Sequence, residues 1–116
     1  MRINVDDTDI DDSLHYLYQG EPFTGEVVET NRAGQILSLI TMRGGRGHGL
    51  ELSWHPNGRL RTETTLEDGR AVGISRAWHP NGQLAAEREF DDDGDLVQVS
   101  RWNEDGSPVP DSVTSF

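Results

Sequence analysis

Trp54-His55-Pro56-Asn57-Gly58 and Trp78-His79-Pro80-Asn81-Gly82 are the same five residues met twice, 24 positions apart (78 − 54). In each, Pro presets the second backbone position of a turn, Asn tolerates the third, and Gly accepts the left-handed fourth. The stretch reads as a type I turn closed by a G1 bulge, the three-residue loop of a β-hairpin. That geometry pairs His79 with Gln83 and Trp78 with Leu84, and likewise Trp54 with Leu60. Outward from the turn, Leu50, Leu52 and Trp54 alternate with polar residues on one strand. Leu60, Thr62, Thr64 and Leu66 do so on the other. The two sets are expected to share one apolar face, with Glu51, Ser53, Arg61, Glu63 and Thr65 on the opposite face.

The period extends beyond the pentapeptides. Thr30, Trp54, Trp78 and Trp102 share the 24-residue step, as do Gly34, Gly58, Gly82 and Gly106. Gly25, Gly49 and Gly73, then Ile36, Leu60 and Leu84, then Tyr18, Met42, Leu66 and Phe90 form further columns. Several columns in one register define a repeat array. Its units run approximately over 19–42, 43–66, 67–90 and 91–114, the first and last degenerate as terminal repeats are. Leu14, Tyr16 and Tyr18 fall in the phase of Ser38, Ile40 and Met42. Residues 13–18 are therefore expected to add half a repeat at the N-terminal end. Between hairpins, Asp68-Gly69 is a turn signal that would pair Leu66 with Ala71. Ala71 is out of phase with Trp78, so a residue must be absorbed, with a bulge at Gly73.

The expected fold class is all-β: an antiparallel hairpin meander of about eight short strands in a single twisted sheet. At 116 residues and 33% hydrophobic content, a thin layered sheet fits the apolar supply better than a helix bundle. Residues 1–12, with Asp6, Asp7, Asp9, Asp11 and Asp12, read as a solvated acidic arm that Ile3, Val5 and Ile10 would tack onto a repeat domain spanning 13–116. The open apolar face and sheet edges need covering by that arm, by the tail 109–116, or by a partner.

There are 21 acidic against 10 basic residues, a net charge of −11. Such a chain repels nucleic acid and anionic membrane surfaces and attracts basic partners. With no Cys, disulfides and thiol chemistry are excluded. No apolar secretory segment or bilayer-length run is present, so the expected location is cytoplasmic. All ten basic residues are Arg, which points to GC-rich coding and a bacterial source.

The unit Asp68-Gly69-Arg70-x-x-Gly73-x-x-x-x-Trp78-x-x-x-Gly82-x-Leu84 resembles the variant MORN repeat of bacteria. Glu21-Pro22-Phe23-Thr24-Gly25-Glu26-Val27-Val28 resembles the opening unit of the same proteins. The resemblance covers roughly residues 13–106. Thr30 departs from it where an aromatic is usual, Val97 where Gly is, and Pro108 where Leu is. It implies a MORN-type repeat array and a non-catalytic binder of the antitoxin or immunity-protein branch, neutralising a cognate toxin.

Each candidate for chemistry has a plainer structural reading. His55 and His79 are repeat-equivalent and precede a turn proline, so they read as turn-flanking strand residues, and their spacing implies no Ser-His-Asp geometry. Asp91-Asp92-Asp93-Gly94-Asp95 resembles a calcium loop, but Ser100 occupies the position where a bidentate Glu is needed, so it reads as an acidic turn. Gly44-Gly45-Arg46-Gly47-His48-Gly49 lacks the Lys-Ser/Thr of a phosphate loop, and reads as a flexible inter-hairpin loop. No catalytic set, metal site or cofactor is expected. Trp54, Trp78, Trp102, Leu60, Leu84, Leu66 and Phe90, with Gly58 and Gly82 in the turns, are the expected repeat core.

The acidic residues Glu87, Glu89, Asp91, Asp92, Asp93, Asp95, Glu104 and Asp105 are the candidate partner-binding surface. They would hold a basic protein, such as a toxin that must itself bind phosphate. The chain is expected to be a monomer or weak homodimer. The competing expectations are a scaffold that self-associates or binds another protein, and a lipid-surface protein, which the charge opposes.

Overall fold

The computed structural model describes residues 1–110 and the strand Thr114–Ser115. The chain forms β1 (Arg2–Asn4), a 3₁₀ turn (Val5–Asp7), β2 (Thr8–Ile10), β3 (Tyr16–Tyr18), β4 (Glu21–Pro22), β5 (Gly25–Thr30), β6 (Ile36–Arg43) and β7 (Arg46–Trp54). It continues through β8 (Leu60–Glu67), β9 (Arg70–Trp78), β10 (Leu84–Phe90), β11 (Leu96–Arg101) and β12 (Thr114–Ser115). The main sheet has nine strands in the order β1-β5-β6-β7-β8-β9-β10-β11-β12, antiparallel and sequential from β5 onward, with β1 parallel to β5 at the edge. The meander stands as the period requires. Beside it is a second, three-stranded sheet, β2-β3-β4.

The period-24 turns share one backbone pattern. His55 N–H donates to Arg59 O and His79 N–H to Gln83 O, each at 2.8 Å, and Asn31–Gln35 and Asn103–Ser107 repeat the bond at 3.0 and 2.8 Å. Gly58 and Gly82 have φ +87° and +90°, the left-handed region a side chain disfavours. Trp54 pairs with Leu60 and Trp78 with Leu84. Even the last turn keeps the contact, as an isolated bridge between Trp102 and Pro108.

Successive turns are tied to one another by side chains. His55 Nε2 lies 2.7 Å from Trp78 O, and His79 Nε2 lies 2.8 Å from Trp102 O. Asn57 Nδ2 donates to Pro80 O at 2.8 Å and Asn81 Nδ2 to Glu104 O at 2.9 Å. Each polar residue of the pentapeptide thus satisfies a carbonyl one repeat further on, which an unpaired turn would otherwise leave to water.

The assignment of faces needs correction. One extra residue, at Leu37, Arg61 and Ala85 in turn, is absorbed next to each period-24 hairpin loop. Beyond it, Ser53 stands opposite Thr62 and Glu51 opposite Thr64, while Leu52 faces Glu63. Thr62, Thr64 and Leu66 therefore share a face with Glu51 and Ser53, not with Leu50 and Leu52, because a bulge reverses the phase of the strand that carries it. At the other hairpin ends Leu66 pairs with Ala71 as expected. The slack there is larger than one residue, since residues 73–75 lie opposite Thr64 alone.

Residues 13–18 do not extend the array, which is a second correction. β3 pairs with β2 and β4, and this small sheet lies over one face of the main one. Tyr16 and Tyr18 pack there on the buried cluster of Ile3, Phe23, Val27 and Met42, whose exposures are 7, 5, 2 and 2%. Tyr18 and Phe23 meet edge to face, ring centroids 5.7 Å apart. A one-layer sheet cannot bury its apolar face, so folding two tyrosines over it removes more apolar surface from water than adding them at the edge. The segment 1–12 supplies β1, the 3₁₀ turn and β2 to this arrangement. Ile3 is buried and Val5 packs on the cluster, whereas Ile10 is 55% exposed. The covering role considered for 109–116 lies largely outside the described residues.

The expected repeat core is shallower than the alternation suggested. Leu66 is buried, whereas Trp54, Trp78, Trp102, Leu60, Leu84 and Phe90 are half-buried. The deepest packing belongs to the N-terminal cluster.

Candidate functional site

The eight acidic candidates do not form one patch, because a meander sends alternate turns to opposite ends of the strands. Asp91, Asp92, Asp93 and Asp95 form the β10–β11 turn at one end. Glu104 and Asp105 lie in the turn 103–107 at the other, where Asn81 Nδ2 reaches Glu104 O. Glu87 lies mid-strand and Glu89 near the β10–β11 turn, both on one face, opposite Ser100 and Gln98. Glu87 is already paired with Arg76 at 2.8 Å.

Two of the aspartates have turn duties. Asp91 accepts the N–H groups of Asp93 and Asp95 at 3.0 and 2.9 Å. Asp105 accepts the hydroxyl and the N–H of Ser107 at 2.6 and 2.9 Å, which holds its carboxyl below the usual carboxylate range. Asp105 takes the place of Asn57 and Asn81 in the period and caps the turn as they do. Carboxylate oxygens of Asp91, Asp93 and Asp95 come within 4.8 Å of one another, close enough to gather around a cation, but all three residues are exposed. They supply few of the six to eight oxygens that calcium takes.

A further site was not expected from the sequence. The small sheet covers the main one only over its first strands and leaves a trough along its free border. Two cavities, about 350 and 360 Å³, lie on either side of Tyr16, and both are lined by Tyr16, Ile40 and Glu51. Ser38, Ser53 and Thr62 line the end near the period-24 turns, and Gly47, Leu66 and Asp68 the other end. Glu51 stands between Ile40 and Thr64 in the cross-strand row, half-buried. Among the described residues its carboxylate makes no hydrogen bond or ion pair.

The glycine-rich stretch 44–49 builds this site rather than a flexible loop. Gly44-Gly45 is the tight turn between β6 and β7. Gly45 is buried under the small sheet, its O accepting from Tyr16 N–H at 2.7 Å and its N–H donating to Phe23 O at 2.8 Å. A Cβ at Gly45 would lie 3.0 Å from His15 Cβ and from Tyr16 O, and one at Gly47 would lie 2.6 Å from Leu66 Cδ1. His15 completes the seam. Arg46 Nε donates to its Nε2 at 3.1 Å, so Nδ1 carries the proton toward Asp11 at 3.3 Å. A guanidinium thus occupies the ring nitrogen that would face a nucleophile in a catalytic triad. His48 sits in the slack between β6 and β7, its Nδ1 buried with no hydrogen bond among the described residues.

Residues 11–15 fold into the same turn as 31–35 and 91–95, with Asp11 accepting from Ser13 and His15 N–H. The fourth position is Leu14, at φ +65°, where the other turns have Gly. The residue is 76% exposed at the rim of the trough. Without a glycine, this turn carries no sequence signal except its Asp.

Two segments of the chain, 47–68 and 71–92, match the model of the MORN repeat variant. They coincide with the β7–β8 and β9–β10 hairpins and support a MORN-repeat protein. A search of curated proteins and a search of solved structures each return no match. No helix among the described residues is long and apolar enough to cross a membrane.

Proposed function

We propose that the chain is a non-catalytic protein-binding module whose partner is a basic protein, and that it neutralises this partner as an antitoxin or immunity protein of the bacterial cytoplasm. Support comes from a repeat scaffold of a generally non-enzymatic family carrying a net charge of −11, with exposed carboxylates of Asp91, Asp92, Asp93 and Asp95 in one turn. Such charge steers a basic surface toward the chain and sets partner choice more than raw affinity.

The test mixes the purified chain with the product of the adjacent reading frame and follows complex formation by gel filtration and protection of cells from that product. A complex with protection is the expected result. A scaffold role is equally compatible with the repeat architecture. Concentration-dependent self-association without protection would favour that role and overturn neutralisation.

A further inference from the structure

We propose that the trough between the small sheet and β6–β8 is a docking groove for an extended, basic segment of a protein partner. This deepens the protein-binding reading above by giving it a place. The groove runs along the strands. From Gly47 to Ser53, the β7 residues that line it span about 20 Å at roughly 3.3 Å per residue, room for about six residues of extended chain.

Its floor is apolar at Ile40 and Leu66, and its wall is the ring of Tyr16. Halfway along stands Glu51. A half-buried carboxylate with no partner among the described residues, beside an aromatic ring and aliphatic side chains, is a receptor for a lysine or arginine, whose stem lies on the apolar floor while its charge meets the carboxylate. Glu29 and Asp68 line the two ends. Against these three carboxylates stand two guanidiniums in the lining. Arg46 already spends its Nε on His15, and Arg61 lies at the end with Glu29.

Leu14 is an independent observation. A leucine is held at φ +65°, a left-handed backbone that side chains disfavour, where every equivalent turn has glycine. The strain holds an apolar side chain in solvent at the groove's rim, where an occupant would cover it.

The experiment titrates the ¹⁵N- and methyl-labelled chain with an alternating lysine–valine octapeptide and with its glutamate–valine counterpart. The expected result is saturable binding of the basic peptide alone, with shifts at Leu14, Ile40, Glu51 and Leu66. Glu51→Gln is expected to weaken it about tenfold, the loss of one partly desolvated charge pair. Leu14→Gly relieves the backbone strain, so it folds, and it is expected to weaken binding as well.

No binding, or shifts confined to Asp91–Asp95, would overturn the groove. If a protein partner is bound unchanged by E51Q but lost on Asp91→Asn, Asp93→Asn and Asp95→Asn together, the groove fails while the protein-binding reading stands. Loss of the partner in E51Q with the peptide result intact supports both.

Discussion

The two halves of the main sheet are built from one repeat and held together differently. One cross-strand row shows the change. It begins Val27, Ile40, Glu51 under or beside the small sheet and continues Thr64, Ser75, Arg88 beyond that sheet. Thr64 Oγ1 and Ser75 Oγ are 2.7 Å apart, so hydroxyls hydrogen-bond across the strands where branched aliphatics are paired in the roofed half. The roofed half has a buried cluster of bulky side chains, while the open half buries Ala86 and Val99 and otherwise depends on the hydrogen-bonded ladder of turns and on half-buried Trp–Leu pairs. A repeat that cannot bury its face alone has two remedies, a cover or a polar face, and this chain uses one in each half.

The strongest test of that difference is a matched pair of truncations. Phe23→Ala empties a site inside the cluster and is expected to cost about 3–5 kcal/mol. Leu84→Ala removes a half-buried side chain from the open half and is expected to cost about 1 kcal/mol. Urea unfolding measures both, and equal losses would break the comparison.

Gly45→Ala and Gly69→Ala sharpen it, because the two positions are one period apart, with φ +84° and +83°. Both variants bear the same left-handed strain, about 1 kcal/mol. Around Gly69 there is open space, whereas a methyl at Gly45 meets His15 Cβ and Tyr16 O, each at 3.0 Å. G45A is therefore expected to lose about 1–2 kcal/mol more than G69A, with hydrogen exchange raised across β2, β3 and β4. An equal loss in the two variants would mean that the small sheet rides loosely on the main one.

In the open half, His79→Ala removes the bond to Trp102 O, and His55→Ala the bond to Trp78 O. Each is expected to cost about 1 kcal/mol, the net value of one hydrogen bond. Thermal melts of the two variants should agree, since the ladder is periodic. A His55 loss several times the other would show that the turns also report on the roofed half.

How far the sequence could be read follows from the same contrast. The turns were legible because Pro-Asn-Gly chemistry is local, and the pairings of Trp54 with Leu60, Trp78 with Leu84 and Leu66 with Ala71 followed from turn length. The faces were not. The bulge column at Leu37, Arg61 and Ala85 changes which residues share a side, yet these three share no chemistry that marks a bulge. The roof was hidden by its own regularity, since Tyr16 and Tyr18 fit the repeat phase but fold over the array. The groove was hidden because Glu51 alternates like any solvent-facing residue, and only the roof encloses it. Of the acidic candidates, Asp105 was read for its charge alone, although its place in the column of Asn57 and Asn81 was the signal that marks it as a turn cap.

The smallest effect tests that last point, and it lies at the edge of the open half. Hydrogen bonds from the Ser107 hydroxyl and N–H lower the Asp105 carboxyl below its ordinary 3.8. A folded-state pKa below the unfolded value contributes stability that is present above pH 3.8 and is lost as pH falls through the folded value. Asp11 shifts the same way, held down first by His15 N–H and then by Ser13 N–H, so the roofed half carries a matching acid-sensitive turn. Asparagine can accept the same backbone bond without a charge to lose, as Asn57 and Asn81 do. Asp105→Asn is therefore expected to match the parent near neutrality and to show a shallower stability loss from pH 4 to pH 2.5. Asp11→Asn should behave likewise, with the added loss of the charge facing His15. If D105N and the parent fall in parallel, the carboxylate is a bystander in its turn and is left free for a partner.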